Sequence, residues 1–242
     1  MALLIDAIPI LSDNYAWRLA DVATGTVAVV DPADADAVEA ALLRAGGRLD
    51  LILLTHHHAD HTAGTDQLRA RFDCPVIGAA ADAYRLPRLD RAVAEGDEVM
   101  IGQSHGVVID TPGHTIGHIA FFFDDGDALI CGDTLFSLGC GRLLEGTAAD
   151  MFASLRKFAA LPAATRICCG HEYTESNARF ALSVDPDNSS LQARAAEVGR
   201  QRAAGEPTLP SVMSGELAAN PFLRASDAAT LGALRTQKDN FR

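Results

Sequence analysis

The stretch "LDLILLTHHHADHTAG" (residues 49–64) constrains this chain more than any other: an apolar run of strand length ends at Thr55, and four of the protein's eight histidines and an aspartate follow at once. A run as short and apolar as "LDLILL" reads as a buried strand, and α/β proteins place functional side chains on the loops beyond the carboxyl ends of their strands. His56 and His58, two apart in extended backbone, point to one side and His57 to the other. Asp60 and His61 follow on a loop that enters the next helix. The segment therefore offers two pairs of ligands, more than one tetrahedral zinc needs from so short a piece. A helical zinc-protease reading would pair His57 with His61, but that motif requires Glu after its first histidine and His58 stands there. A solvated loop that is merely histidine-rich gives three consecutive histidines at a strand edge no purpose.

Three further apolar runs end the same way. His114 lies in "DTPGHTIGH" (110–118), Asp133 in "ALICGDTLF" (128–136) and His171 in "ICCGHEYT" (167–174), each beside glycine. One such residue after a strand means little; four strand edges that each deliver a metal-ligating side chain form a constellation. His118 stands four residues after His114, but Pro112, Gly113 and Gly117 oppose a helix there. His118 and His57 read as structural residues and His105 as a surface one.

Short segments of strand character recur near 2–9, 15–20, 27–30, 51–54, 75–78, 98–101, 106–110, 118–123, 128–131 and 166–169. "DADAVEAALLRAGG" (34–47) and "TAADMFASLRKFAALP" (147–162) have helical spacing and end at Gly or Pro. This alternation is an α/β pattern rich in strands. Beyond residue 172 the segments 174–182, 189–204 and 227–237 read as helices, with no convincing strand among them. The expected organisation is a strand-rich domain over 1–172 and a helical region over 173–242, with "SVDPDNSS" as the connection.

The formal net charge of −12 and the absence of any Lys/Arg-rich block argue against nucleic acid or an anionic membrane as partner. An acidic chain that binds an anion must gather its few cations locally. "MALLIDAIPILSDNYAW" lacks a positively charged n-region and is interrupted by Asp6, so it reads as a strand entering the fold rather than an export signal. No apolar run approaches the ~18 to 20 residues of a membrane span. The five cysteines, an odd number without C-x-x-C spacing, suit reduced thiols in a cytoplasm, and Cys168 and Cys169 read as small buried strand residues.

"THHHADH" with "TPGHTIGH", "CGDTLF" and "GHEYT" resembles the metallo-β-lactamase superfamily, and "GCGRLLEGT" (139–147) with "RTQKDNF" (235–241) narrows the resemblance to its glyoxalase II family, the hydroxyacylglutathione hydrolases. The likeness runs across nearly the whole chain. It implies a four-layer αβ/βα sandwich followed by a helical domain. It implies two divalent metal ions, zinc first and iron or manganese as alternatives: His56, His58 and His114 on one, Asp60, His61 and His171 on the other, Asp133 bridging both. Asp60 and Asp133 are then the carboxylates closest to the chemistry. Two cations sharing a water yield hydroxide at neutral pH. In the implied reaction hydroxide attacks the thioester carbonyl of S-D-lactoylglutathione, releasing D-lactate and glutathione, the second step of methylglyoxal detoxification. A thiolate leaves readily, so no strong general acid is required.

Relatives of the same fold supply the rival readings. A periplasmic β-lactamase would carry an export signal and a cysteine ligand. A lactonase would keep the seven ligands but has no use for "RTQKD". A persulfide dioxygenase uses one iron and usually lacks the helical C-terminal region. A metal-stabilised interaction module would close a single site rather than spread ligands over two ions. The resemblance further implies that Arg142, Tyr173, Arg235 and Lys238 bind the peptide part of glutathione. Arg235 and Lys238, three apart, share a helix face. Where many eukaryotic relatives carry lysine and tyrosine, this chain has Arg142 and Leu144, keeping the charge and losing the phenol. Cys140, between two glycines, reads as structural. The expected protein is a cytoplasmic monomer acting on a small-molecule glutathione thioester.

Overall fold

The N-terminal apolar segment forms a strand at the edge of a sheet, where the exposure of Leu4, Asp6 and Pro9 interrupts its burial. This is β1 (Leu3–Ile10), which pairs antiparallel with β2 (Asn14–Asp21). The structure, a computed structural model, describes residues 3–241; Ala2, included in the expected first strand, lies outside the described residues. The strand β2 is buried almost throughout, and β3 (Val27–Val30) pairs antiparallel along its other edge.

Helix α1 (Ala35–Arg44) is capped by Asp34, whose side chain accepts from the Ala37 amide, and it buries Ala35, Val38 and Leu42 on one stripe. The strands β4 (Leu51–Leu53), β5 (Val76–Ala79) and β6 (Arg91–Val93) then add in parallel after β3, giving a mixed sheet in the order β1-β2-β3-β4-β5-β6. The fully apolar sequences of β3 and β4 follow from burial on both faces, as parallel strands require. Two helices lie between β4 and β5: the four-residue α2 (Ala59–Thr62) and α3 (Thr65–Phe72). A second antiparallel set, β7 (Glu98–Ile101), β8 (Ser104–Asp110), β9 (Ile119–Phe123) and β10 (Ala128–Gly132), is hydrogen-bonded in sequence. Ser104 Oγ donates to Asp21 Oδ2 at 2.7 Å, tying the start of β8 to the end of β2.

These elements form one compact unit, the chain up to Asp110 with Gly117–Gly132. The other unit comprises Thr111–Ile116 and the chain from Asp133 onward. It contains β11 (Leu135–Phe136) paired with β12 (Gly139–Cys140), helix α4 (Ala148–Ala159), β13 (Arg166–Cys169) and helices α5 (Thr174–Val184) and α6 (Ser189–Ala203). After these come β14 (Ser211–Val212), α7 (Met213–Ala219) and α8 (Ala228–Asp239). A capping box between Thr147 and Asp150 starts α4, which buries Met151, Ser154, Leu155 and Phe158. Leu138, Ala178, Ala181, Leu191 and Ala219 make a core of small and branched side chains shared by α5, α6 and α7.

Two expectations need correction. A strand does follow residue 172: β14 pairs with β13, but it is two residues long and follows Pro210, so no periodicity marks it. Asp60 and His61 lie inside α2, whose N-cap position is His58, not in a loop. Among the described residues no helix is long and apolar enough to cross a membrane.

Candidate functional site

In the first unit, three adjacent parallel strands end beside one another, and their carboxyl ends carry the polar residues that no core would otherwise bury. Asp31 follows β3, Thr55 to His58 follow β4, and Asp82 follows β5. His56 and His61 are 0% and 1% exposed. His56 Nε2 and His58 Nδ1 stand 3.1 Å apart, close to the ~3.3 Å that two nitrogens at 2.0–2.1 Å from one tetrahedral zinc would adopt. His57 points the other way, its Nδ1 3.0 Å from Asp82 Oδ2. His61 Nδ1 is 3.0 Å from Asp31 Oδ2, and its Nε2 is 3.8 Å from Asp60 Oδ2. The Asp60 side chain is 46% exposed, and Asn14 steadies it, Nδ2 donating to the Asp60 carbonyl at 3.0 Å and to Oδ2 at 3.2 Å. His118 is buried and stacks on His56, ring centroids 4.7 Å apart. His105, at the surface, stands 3.3 Å from Glu98.

In the second unit His114, Asp133 and His171 are all buried. One oxygen, Asp133 Oδ2, lies 3.5 Å from His114 Nε2 and 3.4 Å from His171 Nε2. A carboxylate oxygen flanked by two imidazoles at nearly equal distance suits a cation ligand. His114 Nδ1 is 2.9 Å from the Arg142 carbonyl, which can only accept, so Nδ1 carries the hydrogen and Nε2 the lone pair. Gly141 is required next to this arrangement, because a Cβ there would stand 1.9 Å from the Asp133 carbonyl oxygen.

A cleft of about 440 Å³ opens in the same unit, and His114 and Asp133 share its walls with Arg142, Tyr173, Arg235 and Lys238. The four residues expected to hold the peptide part of a substrate thus line the cleft that contains two of the expected metal ligands. Their settings differ. Arg142 is 70% exposed and 3.7 Å from Asp239. Arg235 is buried: it donates to the Cys140 carbonyl at 2.7 Å, pairs with Asp239 and lies over the Phe222 ring. Lys238 donates to Ser176 O at 3.0 Å and Ser176 Oγ at 2.9 Å, between the rings of Phe180 and Phe241. Burial, and then the neighbouring Arg235, Arg179 and Arg142, lower its pKa to about 8. Tyr173 is partly exposed and stacks on His171. The Cys140 thiol, pushed up to about 12 by burial, is no nucleophile at neutral pH. All five cysteines are free and buried.

Asn14, Asp31, Thr55 and Asp82 are the residues of this region that motif spacing does not reveal. Their partners lie 24 to 46 residues away in sequence.

Residues 14–171 match the metallo-β-lactamase superfamily, and residues 172–241 match the hydroxyacylglutathione hydrolase C-terminus. The chain is 57% identical to a hydroxyacylglutathione hydrolase of Acidiphilium cryptum, over 98% of this chain and 96% of that one. Among solved structures, ETHE1 from Myxococcus xanthus is similar in fold, with a TM-score of 0.73 at 24% identity, covering 99% of this chain and 92% of its own. A protein solved in a di-iron-bound form is 28% identical with a TM-score of 0.57, covering 69% of this chain and 91% of that one.

Proposed function

Because the chain belongs to the hydroxyacylglutathione hydrolase family of the metallo-β-lactamase superfamily, with its α/β sandwich and helical C-terminal region, we propose that it hydrolyses S-D-lactoylglutathione and related 2-hydroxyacylglutathiones at a pair of divalent cations. It is a thioester hydrolase with a divalent metal centre. The observation that carries the substrate reading is the cleft in which Arg142, Arg235 and Lys238 stand beside His114 and Asp133, a concentration of positive charge in a protein of net charge −12.

His56, His58 and His114 would hold one cation and Asp60, His61 and His171 the other, with Asp133 shared by both. The donor set fits: imidazoles and carboxylates suit zinc, iron or manganese, and the nitrogen spacing at His56 and His58 matches what one cation imposes. We take zinc as the first choice; the di-iron-bound relative makes iron the runner-up. Bound there, such cations would supply Lewis acidity, the chemistry that activates water at neutral pH and polarises a carbonyl.

The chain's own residues do the rest. Asp133, whose Oδ2 stands near both His114 and His171, would bring negative charge to the cations. Asn14 keeps the Asp60 carboxylate in place. Lys238 spends two hydrogen bonds on Ser176, leaving one N–H for the substrate's glycine carboxylate, and the Tyr173 hydroxyl and Arg142 contact the peptide portion. Water adds its oxygen to the acyl carbon and gives up a proton to solvent, the C–S bond breaks, and the thiolate leaves with the bonding pair and without a strong acid. We assign the ligand-rich sequence 1–172 to catalysis and 173–242 to substrate binding, and take the protein to be a monomer in the cytoplasm, where its free thiols stay reduced.

The test is steady-state hydrolysis by the zinc-loaded full chain of the lactoyl thioester of glutathione, of coenzyme A and of N-acetylcysteamine. The glutathione thioester should lead in kcat/KM by roughly 10- to 100-fold, the worth of one charge-assisted hydrogen bond. Equal turnover of all three would remove glutathione as the carrier, and no thioester turnover would remove the reading.

A further inference from the structure

Two of the proposed ligands, one for each cation, lead through hydrogen bonds to a single buried carboxylate. Asp31, 3% exposed, follows β3 in left-handed backbone with φ 52°, a conformation that Asp tolerates better than most residues. Its Oδ1 accepts from the Thr55 amide at 2.8 Å, its Oδ2 accepts from Thr55 Oγ1 at 2.6 Å, and Oδ2 also stands 3.0 Å from His61 Nδ1. Thr55 Oγ1 is in turn 3.0 Å from His56 Nδ1.

Proton counting fixes the direction of every contact. A carboxylate offers only lone pairs, so the hydrogen between Asp31 and His61 belongs to Nδ1. A hydroxyl owns one proton; having given it to Asp31, Thr55 Oγ1 can meet His56 only as an acceptor. His56 Nδ1 therefore carries a hydrogen as well. Both rings are left with their lone pair on Nε2. Asp31 lies close enough to His56 and His61 for potential ligand atoms of all three to fall within 4.8 Å, but its oxygens are committed to Thr55 and His61. Bulk water cannot substitute for the Thr55 hydroxyl: the residue is 0% exposed, and a Cβ at Gly132 would stand 2.5 Å from its Oγ1.

We infer that Asp31 is a positioning residue for both cations, setting the His61 tautomer directly and the His56 tautomer through the Thr55 hydroxyl. The inference rests on the assignment of His56 and His61 as ligands to different cations. It makes an asymmetric prediction, because Thr55→Val cuts only the His56 arm whereas Asp31→Asn disturbs both.

The experiment uses the full chain loaded with zinc. A competing chelator gives the affinity of each equivalent, and ¹⁵N-histidine correlation spectra report which ring nitrogen is protonated. Thr55→Val should weaken one equivalent by roughly 10- to 100-fold, as loss of a ligand-orienting partner does, and shift the His56 Nδ1–H signal. Thr55→Ser should restore both to within about threefold of the parent, and Asp31→Asn should weaken both equivalents. Folded Thr55→Val protein that keeps both affinities and the His56 signal would overturn the inference, whether or not Asp31→Asn folds. So would parent spectra with His56 and His61 protonated at Nε2. Zinc that shifts neither ring in the parent would overturn the ligand assignment itself, and the inference with it.

Discussion

The Tyr173 ring lies flat on that of His171, with centroids 4.5 Å apart and planes 9° from parallel, while the Phe136 ring meets both edge-on. One residue therefore serves two purposes, its ring packing on a proposed ligand while the residue lines the cleft proposed to take the substrate. Tyr173→Phe should keep the stack and raise KM for a glutathione thioester roughly 2- to 10-fold, the worth of a neutral hydrogen bond. Tyr173→Ala should also loosen His171 and lower metal retention. A Phe variant that loses metal would show that the hydroxyl, not the ring, supports the ligand.

Arg142 and Arg235 should behave differently although both line the cleft. Arg235 is 6% exposed and bonded to the Cys140 carbonyl and Asp239. Arg235→Ala leaves that buried carbonyl without its donor, at a cost of about 1 to 3 kcal/mol, which a thermal melt should register as a fall of roughly 2 to 10 °C. Arg142→Ala removes an exposed side chain and should raise KM with Tm unchanged to within about 2 °C. If Arg235→Ala raises KM without lowering Tm, its buried contacts are dispensable and its role is recognition alone.

Substrate affinity should fall in mild alkali. Lys238, with its pKa brought to about 8 by burial and by Arg235, Arg179 and Arg142 against the opposing charge of Asp239, loses its charge between pH 7 and 9. A lysine that binds a carboxylate does so only when protonated, so KM should rise through this window. Stability moves the other way: the folded pKa lies below that of the unfolded chain, the unfolded state binds more protons above pH 8, and the protein gains stability there. Lys238→Met should have a high KM that no longer varies between pH 7 and 9. A parallel rise in the variant would place the titration elsewhere.

Much of this was legible in the sequence because strands and ligands announce themselves locally. The segments 98–101 and 166–169 coincide with β7 and β13; Asp133 and His171 stand within two residues of a strand end, and His56 and His114 stand three and four residues beyond one. The supporting residues were not legible, since a hydrogen bond between Asp31 and Thr55 or between His57 and Asp82 is set by which strands lie side by side. "VAVVDPAD" does carry the signal that marks Asp133, an apolar run ended by aspartate, yet nothing local says that this carboxylate orients a histidine instead of binding a cation. Helix α3 escaped because it buries only Thr65 and Leu68, too little for a periodicity to show.

Asp133 and His57 separate ligation from support. Asp133→Ala removes the oxygen that lies between His114 and His171 and should cost at least 100-fold in turnover, the scale on which loss of electrostatic stabilisation at a reacting centre is felt. His57→Ala removes a partner of Asp82 and should lower Tm more than turnover. Equal losses of turnover in the two variants would mean that His57 belongs to the metal site.

The most direct test of the whole account is turnover of S-D-lactoylglutathione as zinc is returned, in measured equivalents, to the metal-stripped full chain. If the seven proposed ligands are shared by two cations, activity should climb until two equivalents per chain are bound and then level off. Full activity at one equivalent, with the second bound but without effect, would contradict it.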